Sequence, residues 1–473
     1  MTSPLAEVTA LHEKAKLAGH EHLLQHWHKL PPAGQRRLLQ QISEIDFDLI
    51  NDIYINLIRQ NKTTQANLTL EPADVISLAH QHAHPQECAA MRAAGADLLR
   101  RGQVAAVLVA GGQGSRLGFE GPKGAFVFGA LSGKSLFQLH AEKILATSRR
   151  YRAAIPWYIM TSLANHEETK AFFAQHRFFG LPATDVFFFQ QGMMPAIDDS
   201  GKIILEAPDS IFMNPDGHGG TLQALAKSGA LADMRRRGIT EIFYFQVDNV
   251  LLHICDPLFI GYHAAAQAEM SAKVCGKRDP HEKIGVIGKK DGRLTVIEYS
   301  DMSEADKEMR NPDGSLKYNS GSIAIHMLRV DFVSRLTESR QRLPWHIAHK
   351  KIPFINAMGE LIKPEQPNGY KFETFIFDAL GGARHSVVLE VNRHAEFSPI
   401  KNDTGVDSPE TARRDYYNLY AGWLEQCGIK VPRDGEGRPR TKIEISPLFA
   451  LEAQELARKL PADFKLEGEV YLS

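Results

Sequence analysis

Cysteine is scarce in this chain: 4 among 473 residues, at Cys88, Cys255, Cys275 and Cys427, with no CxxC spacing. That excludes a disulfide scaffold and points to a reducing compartment. An excess of charge is also missing. The 55 Lys and Arg are balanced by 56 Asp and Glu, a net charge of −1, so binding to nucleic acid through bulk positive charge is not expected. No apolar run approaches the ~20 residues of a membrane-spanning helix, and no basic-then-apolar leader opens the sequence. Internal repeats and low-complexity tracts are absent. The expected setting is cytoplasmic, with no membrane partner. A chain of this length exceeds a single core and should divide into two or three domains.

What is present centres on Val104 to Phe126, VAAVLVAGGQGSRLGFEGPKGAF. The apolar run Val104 to Ala110 has the length and β-branched content of a buried strand in a parallel sheet. It breaks into Gly111, Gly112 and Gly114, followed by Arg116, Gly118, Pro122 and Lys123. Glycines let the backbone approach a ligand, so that its N–H groups can face phosphate oxygens. Arg116 and Lys123 add positive charge, and a helix is expected over 135–148. This order of strand, glycine loop, cations and helix suits a nucleoside triphosphate. Two familiar loops do not fit. A P-loop needs Ser or Thr after its lysine, whereas Gly124 follows Lys123. A dinucleotide fingerprint counted from Gly112 would need glycine where Leu117 stands, which disfavours a Rossmann oxidoreductase.

Before this stretch, residues 5–100 read as helical. Leu23, Leu24, Trp27 and Leu30, then Leu38, Leu39, Ile42, Ile45, Leu49 and Ile53, recur near helical spacing, with Pro31 and Pro32 between the two runs. His80, His82 and His84 alternate, but no Cys or carboxylate cluster accompanies them, so they read as a helix end or loop rather than a metal site. After Val104 strands alternate with helices: strands over 155–162, 186–192 and 242–248, helices over 167–180 and 219–238. Such alternation implies a doubly wound parallel α/β sheet, with ligands beyond the carboxyl ends of its strands. From about 284 the pattern becomes antiparallel, and after Pro399 it becomes polar and loop-rich. The expected division is a helical N-terminal region over 1–100, a central α/β domain over 101–400 with a mixed, mainly parallel sheet, and a small C-terminal lobe over 401–473.

The motifs AGGQGSRLG and PKG resemble the signature of the nucleotidyltransferases that make UDP-sugars from UTP and a sugar 1-phosphate, with Ser115 in place of the usual Thr. The resemblance runs from about residue 15 to IEISPL at 443–448. It is nearest to the eukaryotic-type UDP-N-acetylglucosamine pyrophosphorylases. It implies UTP and a sugar 1-phosphate as substrates, a UDP-sugar and pyrophosphate as products, and Mg²⁺ as cofactor. In such a reaction a sugar-phosphate oxygen attacks the α-phosphorus of UTP. Positioning and charge stabilisation do most of the catalysis, and no side-chain nucleophile is required.

Carried over residue by residue, the resemblance places Val109, Ala110, Gly111 and Gly112 at the uracil and ribose through backbone groups. Arg116 is assigned to the departing β- and γ-phosphates, Lys123 to the α-phosphate, and Lys401 in EFSPIKN to the reacting phosphates. Gln191 in FFFQQG reads the uracil edge, and Gly217 belongs to the nucleotide-binding set. Asp248 in FQVDN ends a buried strand beside a basic loop, which suits a Mg²⁺ ligand that shares the ion with phosphate and water. Gly285, Glu298, Tyr299, Asn319 and Lys371 match positions lining the sugar site.

One departure stands out. In PDGHGG at 215–220, His218 takes the place of an Asn found in N-acetylglucosamine enzymes, while glucose-specific relatives carry Gly-His-Gly there. The exchange alters the donors and acceptors offered to the sugar. The expected activity is a uridylyltransferase acting on N-acetylglucosamine 1-phosphate. Glucose 1-phosphate or a broad range of sugars is the alternative within the class. A catalytically silent nucleotide-sugar-binding protein is the rival outside it, opposed by the intact Arg116, Lys123, Asp248 and Lys401.

Overall fold

The run Val104–Val109 lies at the centre of a ten-stranded mixed sheet in a computed structural model that describes residues 4–60, 69–339 and 343–473. Trp157–Thr161 pairs parallel on one side of it, followed by Val186–Gln190, and Glu241–Gln246 pairs parallel on the other side. These four strands are the parallel centre that the strand–helix alternation implied. Ser320–Arg329 then pairs antiparallel with Glu241–Gln246 and leads to the hairpin Val286–Lys290/Arg293–Ile297. The turn of that hairpin, Asp291-Gly292, takes positive φ at both residues, 51° and 75°, as a two-residue hairpin demands.

The sheet order explains where a ligand belongs. From Val104–Val109 the chain winds outward through the next two strands, then returns to place Glu241–Gln246 on the opposite side. That reversal is a topological switch point, and the crevice at the carboxyl ends of the two diverging strands is the usual ligand position in such sheets. The glycine loop leaves one of these ends and Asp248 the other, in register through Val109 and Gln246.

The expected helix over 135–148 is observed as Leu136–Tyr151, capped by the Ser135 side chain, which accepts from Gln138 N–H. The expected helix over 219–238 is two pieces, Thr221–Lys227 and Ala230–Arg236, because Gly229 stands between them at φ 82°. Residues 20–30 form two short 3₁₀ turns, Glu21–Leu24 and Trp27–Lys29, rather than one α-helix. Leu23 is nonetheless buried, as its spacing implied.

The contacts group the chain into two units that do not follow the sequential division at residues 100 and 400. The smaller unit is 1–68, 191–221 and 343–376; the larger is 69–190, 222–342 and 377–473. The reason is shared cores. In the smaller unit Leu23, Leu38, Ile42, Phe47 and Ile50 of the N-terminal helices pack with Ile197, Ile203, Ile211 and Phe372. In the larger unit Ala412, Tyr416, Tyr420 and Leu424 from the helix Pro409–Gln426 pack with Phe128, Leu136 and Phe137, so the C-terminal segment has no core of its own. Among the described residues no helix is long and apolar enough to cross a membrane, and the four cysteines are unpaired.

Candidate active site

The glycine loop is folded back on itself. Gly114 N–H donates to Gly121 O at 2.9 Å, and Lys123 N–H donates to Gly112 O at 3.0 Å, which brings Lys123 beside the end of the central strand. Gly118 completes the bend at φ 65°. A Cβ built on Gly112 would meet nothing within 4 Å, so the backbone there is open to an incoming group. Arg116 is exposed, and among the described residues no acid pairs with it.

Asn165, wholly buried, fixes the loop from beneath. Its Nδ2 donates to Ala110 O at 3.0 Å and Gly112 O at 3.2 Å, while its Oδ1 accepts from Ser162 N–H at 2.9 Å. With those carbonyls engaged, the peptide planes at the strand end are held in one orientation. Nothing in the local sequence SLANHEE marks Asn165 beyond its place just after a strand.

At the other strand end Lys123 Nζ lies 3.5 Å from Asp248 Oδ2. The Asp248 carbonyl accepts from Ile400 N–H at 3.0 Å, and this places Lys401 next to the same point. The Lys401 side chain is exposed, and among the described residues it has no ion-pair partner. Asn249 joins these segments. Its Nδ2 donates to Glu396 O at 2.7 Å, and its Oδ1 accepts from Ser398 N–H at 3.1 Å and Leu251 N–H at 3.3 Å. Helix Leu136–Tyr151 supports the same loop. His140 Nε2 donates to Val247 O at 3.0 Å, and Lys143 Nζ donates to Val250 O and Leu252 O at 2.6 and 2.9 Å. Burial pushes the Lys143 ammonium down to about 7, and the two carbonyls satisfy it there. The donor set at Asp248 is a single carboxylate beside an anion loop, which fits a Mg²⁺ that takes its remaining ligands from phosphate and water.

A second group lies within the smaller unit. Gln191 Nε2 donates to Gly217 O at 2.8 Å. Asp216 O accepts from Thr374 N–H at 2.8 Å and Thr374 Oγ1 at 3.0 Å, and Gly219 N–H donates to Thr374 O at 2.8 Å. Only glycine fits at 217: φ is 82°, and a Cβ would fall 2.3 Å from Thr374 O. His218 Nδ1 accepts from Ile376 N–H at 3.2 Å, and the ring stacks on Phe375 with centroids 5.2 Å apart. Acceptance at Nδ1 puts the ring proton on Nε2, so this edge of the imidazole is a donor. Burial, with the nearby His346, pushes the ring's pKa down to about 4. The ring is therefore neutral at pH 7.

The positions matched to the sugar site are spread more widely. Gly285 and Glu298 are neighbours, since a Cβ on Gly285 would stand 3.3 Å from Glu298 Oε1. Tyr299 is 39% exposed. Asn319 Oδ1 accepts from Lys277 N–H at 2.8 Å. Lys371 Nζ stands 4.8 Å from the centre of the Phe212 ring. No hydrogen bond joins it to the His218 loop among the described residues. The structure thus brings together Gly112, Lys123, Asp248 and the Lys401 segment in one unit, and Gln191, Gly217 and His218 in the other.

A family model described as UTP–glucose-1-phosphate uridylyltransferase matches residues 51–422. The chain is 37% identical over 456 residues to a probable UDP-N-acetylglucosamine pyrophosphorylase of Dictyostelium discoideum, covering 93% of this chain and 92% of that protein. It is 37% identical over 461 residues to UDP-N-acetylglucosamine pyrophosphorylase of Saccharomyces cerevisiae, covering 93% and 95%. Among solved structures, the Trypanosoma brucei uridine diphosphate N-acetylglucosamine pyrophosphorylase in complex with inhibitor superposes with a TM-score of 0.82 at 27% identity, over 97% of this chain and 95% of that one.

Proposed function

The chain belongs to the UTP–glucose-1-phosphate uridylyltransferase family, and on that premise we propose that it transfers a uridylyl group from UTP to N-acetylglucosamine 1-phosphate, releasing pyrophosphate and UDP-N-acetylglucosamine. The observation that carries this reading is the Lys123–Asp248 pair at the switch point, flanked by the open glycine loop and by Arg116 and Lys401, two cations without an ion-pair partner among the described residues.

Both substrates are anions, so their charge must be offset before they meet. Arg116 and Lys401 supply positive charge that no acid pairs with among the described residues. Lys123 sits beside the acid and faces the α-phosphate, where charge redistributes as the new P–O bond forms and the bond to pyrophosphate breaks. The attacking sugar-phosphate oxygen is already ionised, so no base is needed. Asp248 would hold the Mg²⁺, which supplies charge neutralisation on the triphosphate when bound. Backbone groups of Val109, Ala110, Gly111 and Gly112, fixed by Asn165, take the nucleoside side. One amide hydrogen of Gln191 is committed to Gly217 O, and its carbonyl is an acceptor suited to the N3–H of uracil. Cytosine carries a lone pair at N3, so the two acceptors would repel.

His218, Gly285, Glu298, Tyr299, Asn319 and Lys371 are assigned to sugar recognition. His218 is the observation that favours a second reading, in which glucose 1-phosphate is also accepted. Four unpaired cysteines support a reducing, cytoplasmic setting. The test is a panel of sugar 1-phosphates with UTP or CTP and Mg²⁺, scored by pyrophosphate release. Fastest turnover is expected for N-acetylglucosamine 1-phosphate with UTP. Pyrophosphate release from no sugar tested, or equal kcat/KM for UTP and CTP, would overturn the assignment.

A further inference from the structure

We propose that His80, His84 and Glu87 form a binding site for a borderline-soft divalent ion of the zinc class, separate from Asp248 and its chemistry. The sequence HQHAHPQE shows alternating histidines with one distant acid. The fold changes that arrangement. Helix Leu78–Ala83 ends at His84, which leaves helical geometry at φ −123° and ψ 60°, and Pro85 starts the next helix, Pro85–Arg100. The break turns Glu87 back onto His80, whose Nε2 lies 3.2 Å from Glu87 Oε2. The His80 and His84 rings stack with centroids 4.2 Å apart and 22° between planes. One ligand atom from each of the three residues lies within 4.8 Å of the other two. His82 is two positions along the helix from His80, so it faces away from this set.

Three features make the cluster a site rather than a chance meeting. First, the tautomer of His84 is set. Its Nδ1 donates to His80 O at 2.9 Å, which leaves the Nε2 lone pair outward. An imidazole oriented through its other nitrogen by a backbone carbonyl is the usual arrangement for a metal-bound histidine. Second, the carboxylate is placed: Glu87 lies in the first turn of helix Pro85–Arg100, which brings it to His80. Third, the segment is pinned. Ser77 Oγ accepts from His80 N–H at 3.1 Å, Leu78 N–H donates to Glu390 Oε2 at 2.9 Å, and Gln81 Nε2 donates to Glu390 O at 2.8 Å.

The spacing agrees with the ion. Two ligand atoms about 2.0–2.1 Å from a tetrahedral zinc stand about 3.3 Å apart, close to the 3.2 Å between His80 Nε2 and Glu87 Oε2. Binding replaces the proton between those two atoms with the metal, and the neutral His80 ring takes up a proton at Nδ1 as it gives up the one at Nε2, so the ligand stays a neutral imidazole. Two imidazoles and one carboxylate suit zinc, nickel or copper and are a poor match for Mg²⁺, which prefers oxygen. The side chains of His80 and Glu87 are 39% and 40% exposed, so an ion can enter and water can complete the coordination. Bound there, the metal would tie the two helices together across the break at His84.

The experiment uses the full chain, stripped of metal with a chelator, then titrated with Zn²⁺ against a chromophoric competitor and with Co²⁺ by visible absorption. Wild type is expected to take up one more equivalent of tightly held Zn²⁺ than His84→Ala, and to show d–d bands of tetrahedral Co²⁺ that the variant lacks. Glu87→Gln should weaken binding by about 10- to 100-fold, and His82→Ala should match wild type. Zn²⁺ should also raise the melting temperature of wild type more than that of His84→Gln, which keeps similar bulk if the alanine variant folds poorly. Histidines elsewhere contribute equally to every variant, so only the difference reports on this site. Equal stoichiometry in wild type and His84→Ala, or a loss in His82→Ala as large as in His84→Ala, would overturn the proposal.

Discussion

Lys123 Nζ and Asp248 Oδ2 lie 3.5 Å apart at the ends of two adjacent parallel strands, with side chains only 16% and 14% exposed. The pair keeps a cation and an acid in place at the point where a triphosphate would enter. Lys123→Ala is expected to lower kcat by about 10²–10³-fold, the usual cost of losing one well-placed donor to developing charge. Steady-state rates within a few-fold of wild type would remove its assigned role.

Asp248→Asn keeps the shape of the side chain and removes its charge. The Mg²⁺ concentration needed for half-maximal rate should rise, with the far-UV spectrum and melting temperature near wild type. A Mg²⁺ titration distinguishes this from a purely structural role, in which the half-maximal concentration would not move.

Asn249→Ala tests whether the loop carrying Asp248 must be tied to the segment carrying Lys401. Three hydrogen bonds are lost, and displacement of the two side chains should reduce kcat by about 10- to 100-fold. KM for UTP should change much less. An effect confined to thermal stability would make Asn249 a folding residue only.

His218→Asn should shift the ratio of kcat/KM towards N-acetylglucosamine 1-phosphate over glucose 1-phosphate by about 10- to 200-fold, the range of a single discriminating contact. Since the His218 ring stays neutral at pH 7 and titrates at about 4, the wild-type ratio should be flat from pH 6 to 8. A ratio that changes by less than twofold on mutation assigns selectivity to the Gly285, Asn319 and Lys371 positions instead.

Acid should destabilise the protein in a defined window. His20 is buried with Nδ1 accepting from Ile203 N–H at 3.3 Å, and burial, with His22, pushes its pKa down from 6.5 to about 4. His218 falls to about the same value. The unfolded chain therefore binds more protons than the folded one between pH 6.5 and 4. The stability these two neutral rings contribute is fully present above that range, declines as pH falls through it, and is lost below about 4. Melting temperature measured from pH 7.5 to 4 should drop, and His20→Gln should flatten the slope. Identical slopes for the two proteins would exclude His20 as a contributor.

Much of the larger unit was legible because its signals are local. A β-branched run followed by glycines and two cations within 20 residues carries its meaning in sequence, and Asp248 is conspicuous at a strand end. Asn165 and Asn249 were not legible. Their value lies in hydrogen bonds to distant carbonyls, as from Asn249 to Glu396 across 147 positions, and an asparagine after a strand is otherwise an ordinary turn residue. The division of the chain was hidden for a related reason: 191–221 and 343–376 share a core with the first helices, and periodicity says which face is buried but not against what. Glu87 escaped notice in the same way, because only the break at His84 brings it to His80.

The knitted loop at 215–220 also limits how this protein could be re-engineered. A Cβ on Gly217 would stand 2.3 Å from Thr374 O, on Gly219 2.7 Å from Phe375 N, and on Gly220 2.0 Å from Asp216 Oδ1. At 217 and 219 the obstructing atoms are backbone and cannot give way, so replacements there should misfold, whereas at 220 the obstacle is the Asp216 side chain. The sequence space open to evolution or design within Gly217–Gly220 contracts towards position 218, and a change of sugar preference by that route would be a single-codon event.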